Sequence, residues 1–118
     1  MQVREFSQLT GVSPHTLRYY EKMGLLKNVH RNVSGHRDYT EKDLAWMGFI
    51  QRLKATGMSL ENILRYAEYR EQGDDSLVAR MQLLEAHKTE LEAYIQSQQS
   101  HLEALQEKIN FYKQQIQD

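Results

Sequence analysis

Residues 13–21 are Ser-Pro-His-Thr-Leu-Arg-Tyr-Tyr-Glu, and this stretch decides the fold of the chain. Ser13 is a favourable N-cap, and Pro14 suits the first helical position because its missing N–H would have been unsatisfied there anyway. Helical spacing points Leu17 towards a core and places polar side chains on another face. This polar face carries two cations, an aromatic hydroxyl and a titratable ring, a combination that suits a polyanionic ligand. The residues of that face are His15, Arg18, Tyr19 and Lys22.

A second short helix precedes this one. Val3, Phe6 and Leu9 are helically spaced, and the segment Thr-Gly-Val at 10–12 then interrupts the pattern. Two short helices joined by a glycine-containing turn form a helix-turn-helix, whose second helix normally enters the major groove of DNA. The start of the chain therefore predicts a DNA-binding motif.

The order of several segments resembles the MerR family of transcriptional regulators. The matching segments are Leu-Thr-Gly-Val-Ser at 9–13, Thr-Leu-Arg-Tyr-Tyr-Glu at 16–21, Gly-Leu-Leu at 24–26 and Leu-Lys-Ala-Thr-Gly-Met-Ser-Leu at 53–60. The resemblance implies a winged helix-turn-helix head, a dimer and a bacterial-type activator of transcription. It also implies that Lys54 reaches the DNA backbone.

The polar segment 27–40 predicts a short hairpin, called the wing below. In the MerR resemblance, Arg37 and Tyr39 match the wing signature that precedes the next helix. The guanidinium of Arg37 follows His36 in the predicted turn, where it is well placed to contact phosphate. For Tyr39 the sequence leaves two roles open, a contact with DNA or a core aromatic packed on the first helix.

Two further helices complete the predicted head. Segment 40–43 resembles a capping box, and apolar residues then recur every three positions, so a third helix should end near Thr56. Ser59 caps a fourth helix that ends at Tyr69 or Arg70. The residues expected to face the core are Leu44, Met47, Ile50 and Leu53, then Leu60, Ile63, Leu64 and Ala67.

A different periodicity follows a predicted hinge at 71–75. From 76 to 115 there is no Gly or Pro, and seam residues alternate steps of four and three, which predicts a coiled-coil helix. Such a rod of about 60 Å is too long to bury its seam against a small head, so a second copy is the simplest partner. Residues alone leave the orientation open, and the resemblance implies antiparallel pairing. The predicted interface residues are Leu77, Met81, Leu84, Leu91, Ile95, Leu102, Leu105, Ile109 and Tyr112, with Lys88 and Gln98 as polar seam positions.

Charge is distributed unevenly along the 118 residues. Residues 1–70 contain 11 Lys and Arg against 7 Asp and Glu, a net of +4, whereas residues 71–118 contain 4 against 9, a net of −5. A modestly basic head with an acidic remainder fits a DNA-facing front.

Several classes of site and location are excluded or disfavoured. The chain has no cysteine, which excludes disulfides and thiolate metal sites. His87 and His101 lie about 21 Å apart along one helix and cannot share an ion within a chain, so we predict no metal and no cofactor. No apolar segment approaches the ~18 residues that span a bilayer, and we expect a soluble cytoplasmic protein without membrane contact.

The sequence thus predicts a mainly α protein with a winged helix-turn-helix head at 1–70, a hinge at 71–75 and a dimerisation helix at 76–118. We expect a homodimer that binds a near-palindromic site in double-stranded DNA. The resemblance implies distortion of an over-long promoter spacer, which acts on RNA polymerase indirectly through the DNA. The predicted DNA-contacting residues are His15, Thr16, Arg18, Tyr19, Tyr20, His36, Arg37, Tyr39 and Lys54.

The sequence leaves alternative functions to consider, and it does not identify an effector. An interaction protein that pairs through its coiled coil would bind DNA weakly and independently of salt. An enzyme is disfavoured because the chain has no Gly-rich phosphate loop and no nucleophile with a matching base. The head resembles the aldehyde- or electrophile-responsive MerR branch, whose cysteine lies where this chain has Phe-Ile-Gln-Arg-Leu-Lys at 49–54. Thiol sensing is thereby excluded, and a small-molecule effector is left unidentified; Tyr66, Tyr69, Tyr94 and Tyr112 could line its pocket or serve as packing anchors.

Overall fold

Helices α1 (Val3–Thr10) and α2 (Pro14–Met23) form the predicted helix-turn-helix in the computed structural model, which describes residues 1–117. The turn depends on Gly11, which ends α1 with a φ of 72°, in the left-handed region that glycine adopts most easily. Ser13 then caps α2, since its hydroxyl accepts the Thr16 N–H at 3.1 Å.

The wing is a two-stranded antiparallel hairpin. Strand β1 (His30–Arg31) pairs with β2 (Arg37–Asp38), and Arg31 lies opposite Arg37 in the register. The Asn32 side-chain oxygen accepts two backbone N–H groups of the turn, at 2.9 and 3.1 Å, which holds the connection in shape. The predicted hairpin is confirmed.

Helix α3 (Glu41–Ala55) packs on α1, and helix α4 (Leu60–Glu71) packs on α3. Thr40 and Asp43 form both halves of a capping box at the start of α3, as predicted. One expected core position is wrong: Leu60 is 42% exposed, because it directly follows the N-cap at the surface end of α4. The buried hydrophobic residues are Phe6, Leu17, Tyr20, Leu25, Leu26, Tyr39, Trp46, Met47, Ile50, Leu53, Met58, Ile63 and Ala67.

The segment 71–75, predicted as a hinge, contains the last residue of α4 and most of a hydrogen-bonded 3-10 turn, and its role as a hinge stays a prediction. A 3-10 turn (Gly73–Ser76) links α4 to the long helix α5 (Leu77–Gln117). Ser76 is 2% exposed, and its hydroxyl donates to the carbonyl oxygens of Tyr69 and Gly73. Arg80 adds two bonds, from Nε to the Ser76 hydroxyl at 3.1 Å and from a guanidinium nitrogen to the Gly73 carbonyl at 3.0 Å.

The chain divides into two compact units, the first from Met1 to Met81 and the second from Gln82 onward. Helix α5 is 41 residues long, and none of its described side chains is buried within a single chain. Of the nine predicted interface residues, Leu84 and Leu91 are half-buried and the other seven are exposed. No helix within residues 1–117 has both the length and the apolarity to cross a membrane.

Candidate DNA-binding interface

A basic cleft of about 290 Å³ lies where the start of α1, one face of α2 and the wing meet. Three guanidinium groups and one imidazole share its lining, and none of the lining residues is acidic. Three guanidinium groups around one cleft give a net positive potential that attracts phosphate, although two of them, Arg31 and Arg37, also contact the carboxylate of Glu21 behind the lining. The lining residues are Gln2, Val3, Arg18, Arg31, Gly35, His36 and Arg37.

Arg18 supplies the free cation of this cleft. Its side chain is exposed, and it makes no hydrogen bond or ion pair with any residue from 1 to 117. A guanidinium with five unused donors can contact a guanine edge in the major groove or a phosphate.

The other exposed side chains of α2 extend the same surface. His15 is exposed and Tyr19 is 53% exposed. Thr16 differs, because its side chain is half-buried and its hydroxyl accepts from the Ser13 hydroxyl at 2.9 Å. The structure therefore gives Thr16 a capping contact in addition to its predicted place on this face.

Tyr20 and Lys54 meet at the edge of the head. Tyr20 is 7% exposed, so its ring belongs to the core, while its hydroxyl accepts a hydrogen bond from Lys54 Nζ at 2.6 Å. The ammonium group also lies 5.2 Å from the centre of the Tyr20 ring, a cation–π distance. The fold thus joins a residue of α2 to one of α3, and it leaves the cation at the surface.

Arg37 is held in place by a residue that the sequence analysis did not single out. Its Nε donates to a carboxylate oxygen of Glu21, and the other oxygen of that carboxylate lies 3.7 Å from Arg31 Nη2. Helical spacing would pair Glu21 with Arg18, one turn earlier on α2, so the sequence contained no signal of its contact with the wing.

Tyr39 lies in the core, which is the second of the two roles left open for it. It is 1% exposed, and its ring stacks on Phe6 with the centroids 4.1 Å apart. Burial raises the pKa of its hydroxyl, which has no hydrogen-bond partner among the described residues. The prediction that its side chain contacts DNA is withdrawn, because the ring does not reach the surface.

Comparison with known proteins identifies the family. Residues 1–70 match the MerR HTH family of regulatory proteins, and residues 44–109 match the family described as MerR, DNA binding. The chain belongs to the MerR family of DNA-binding transcriptional regulators. The predicted family is confirmed.

Three similar proteins illustrate the match. An uncharacterised HTH-type regulator of Haemophilus influenzae is 43% identical over 103 residues, 87% of this chain and 76% of the relative. AdhR of Bacillus subtilis is 37% identical over 84 residues, 71% of this chain and 60% of the relative. The structure of HiNmlR, described as a MerR family regulator lacking the sensor domain, was determined bound to promoter DNA. It is 39% identical, with a TM-score of 0.86 over 96% of this chain and 90% of its own.

Two further features bear on sensing in this MerR-family chain. Within residues 1–117 no group of three His, Cys, Asp or Glu side chains is arranged to hold a metal ion. Tyr66 packs against Trp46 and Phe49, with ring centroids 5.9 and 5.3 Å apart, and Arg70 lies 4.3 Å from the Trp46 ring centre. The contacts of Tyr66 are those of a packing anchor rather than of a pocket wall.

Proposed function

We propose that the chain acts as a homodimer on near-palindromic promoter DNA, with one α2 in the major groove of each half-site. The observation that carries this proposal is the basic cleft, where the free Arg18 of α2 shares a surface with the guanidinium groups of the wing. Arg18 and His15 contact base edges, whereas Tyr19, Arg37 and Lys54 contact phosphates and set the position of the head.

The proposed consequence of binding is a change in DNA shape. The promoter complex of HiNmlR supports DNA as the ligand. We infer that the dimer bends and untwists an over-long spacer, a deformation that costs a few kcal/mol and is repaid by contacts at both half-sites. RNA polymerase then responds to the altered DNA, so the chain needs only to bind and has no catalytic role. The proposed location is the cytoplasm. Any effector acts by favouring one dimer geometry over another.

The exposed seam of α5 supports self-association. In a parallel pair each seam residue faces its own copy, so Lys88 would oppose Lys88 inside the interface, which is destabilising. An antiparallel pair removes this like-charge contact, because Lys88 then faces a residue from the other end of the seam. This contact agrees with the antiparallel pairing that the resemblance to the MerR family implies, and we propose an antiparallel dimer on both grounds.

The proposal is tested by titrating the protein into its own upstream DNA and into scrambled DNA, at two salt concentrations. We expect Arg18→Ala to lose about 1–3 kcal/mol of preference for the upstream site. Arg65→Ala is a matched control, because Arg65 pairs with Glu61 inside α4, at 3.7 Å, and lies outside the cleft. Equal binding of wild type to both DNAs would overturn the regulator proposal and leave the coiled coil as the functional element.

A further inference from the structure

Glu21 is an acidic residue in a surface proposed to face phosphates. It belongs to α2, and its side chain is 23% exposed, in contact with two arginines that line the basic cleft. A carboxylate near the DNA backbone opposes binding through like-charge repulsion. Its presence there is physically understandable only if the contacts it makes within the protein contribute something that DNA binding requires.

The wing explains what the carboxylate contributes. Arg31 and Arg37 are direct cross-strand partners, and like charges at such positions destabilise a hairpin. One oxygen of Glu21 accepts from Arg37 Nε, and the other lies 3.7 Å from Arg31 Nη2. Arg31 is also held from its own strand, since Nη1 donates to the Gly35 carbonyl at 3.0 Å. A single carboxylate therefore joins α2 to both strands of the wing.

We propose that Glu21 is a positioning residue that sets the preference of the protein for promoter DNA over other DNA. It fixes the wing guanidinium groups at a defined spacing from Arg18, so that helix and wing engage one half-site together. Non-specific binding depends on total positive charge and tolerates a mobile wing, whereas specific binding requires both contacts in register. This inference rests on the proposed function.

The test compares wild type with Glu21→Gln on promoter DNA and on scrambled DNA of the same length. If Glu21 acted only through its charge, its removal would raise affinity for both DNAs equally. Positioning predicts opposite changes on the two DNAs. Affinity for scrambled DNA should rise about threefold, because one repulsive charge is lost. Affinity for promoter DNA falls, and the ratio of the two affinities drops about tenfold, the value of one lost charge-assisted bond.

Glu21→Asp separates reach from charge. The aspartate keeps the negative charge but is one methylene too short to hold Arg37 from the same backbone position. We expect the promoter preference to fall as in Glu21→Gln, with no gain on scrambled DNA. Glu61→Gln is the matched control, because it removes the same charge from a Glu–Arg pair within α4 and should leave the preference unchanged.

Unfolding followed by the fluorescence of Trp46, the single tryptophan, shows whether each variant head is folded. Should one of the two Glu21 variants unfold, the other still tests the inference, because each disturbs the contact with Arg37 in a different way. An unchanged affinity ratio in folded Glu21→Gln and Glu21→Asp, with wild type still preferring its promoter, overturns the inference alone. Loss of preference in wild type overturns the proposed function, and this inference with it.

Discussion

The head and α5 both carry apolar residues at helical spacing, yet only the head completes its own packing. Phe6, Leu17 and Met47 are 0% exposed within a single chain. On α5 the seam residues Leu102 and Leu105 remain 58% and 62% exposed, and no described side chain of that helix is buried. Periodicity therefore identifies an apolar face in both regions, but it does not show whether the partner of that face lies in the same chain.

The largest expected effect comes from the seam. Leu102→Asp places a charge in the central part of the proposed interface, so it should separate the dimer while the head stays folded. Loss of the second head removes bivalent binding, and promoter affinity should fall about 100-fold or more. Sedimentation and DNA titration measure the two effects. Ser100→Asp is the control, because it adds the same charge to an exposed position of α5 outside the seam. A dimer that survives Leu102→Asp would show that the seam does not hold it.

Cross-linking sharpens the same comparison by testing orientation, and the cysteine-free chain gives a clean background. Ile109→Cys lies far from the middle of the seam, so its two copies meet only in a parallel pair. We expect little disulfide from this variant alone and efficient cross-linking when it is mixed with Leu84→Cys, the seam residue nearest to its mirror position about the midpoint of α5 (Leu77–Gln117). Rapid self-linking of Ile109→Cys would contradict the antiparallel proposal.

The next effect concerns the completed core of the head. Leu17→Ala removes a fully buried side chain of α2, and it should lower the free energy of unfolding by about 2–5 kcal/mol. Urea unfolding followed by Trp46 fluorescence measures the change. Leu105→Ala makes the same chemical change on the exposed seam, so it should weaken the dimer and leave the unfolding of the head unaltered. Similar head destabilisation by both variants would mean that the two regions do not pack independently.

Helix ends were the most predictable part of this fold, because their signals are local. Ser13, Thr40 and Ser59 each cap the helix that the sequence assigned to them. A cap needs only its own side chain and the backbone three residues later, so the neighbouring sequence contains the whole interaction. The long helix α5 was predicted equally well, because a heptad pattern depends on spacing along one helix, while its seam as a dimer interface stays a prediction.

The site was less predictable, because its contacts join segments that are distant in sequence. Glu21 meets Arg37 across 16 positions, and Lys54 meets Tyr20 across 34. Residue type predicted that these side chains face DNA, which stays a prediction, but it could not show which cation is free and which is held. The role of Tyr39 was undecided for the same reason, since only the packing of the wing on α1 buries its ring.

The smallest expected effect tests that buried ring. Tyr39→Phe removes a buried hydroxyl that lacks a partner among the described residues, so at neutral pH stability should be unchanged or rise by up to about 1 kcal/mol. Burial raises the pKa of Tyr39 above its usual 10.0, so the folded state holds the proton more tightly than the unfolded state. Wild type should therefore lose stability as the pH rises above 10.0 towards the folded-state pKa, and the advantage of Tyr39→Phe should grow over that range. Urea unfolding at neutral pH and again above pH 10.0 measures the free energy of unfolding of both proteins, with Tyr19→Phe, at an exposed tyrosine, as the control. A clear loss of stability in Tyr39→Phe at neutral pH would show that the hydroxyl makes a stabilising bond in the folded head.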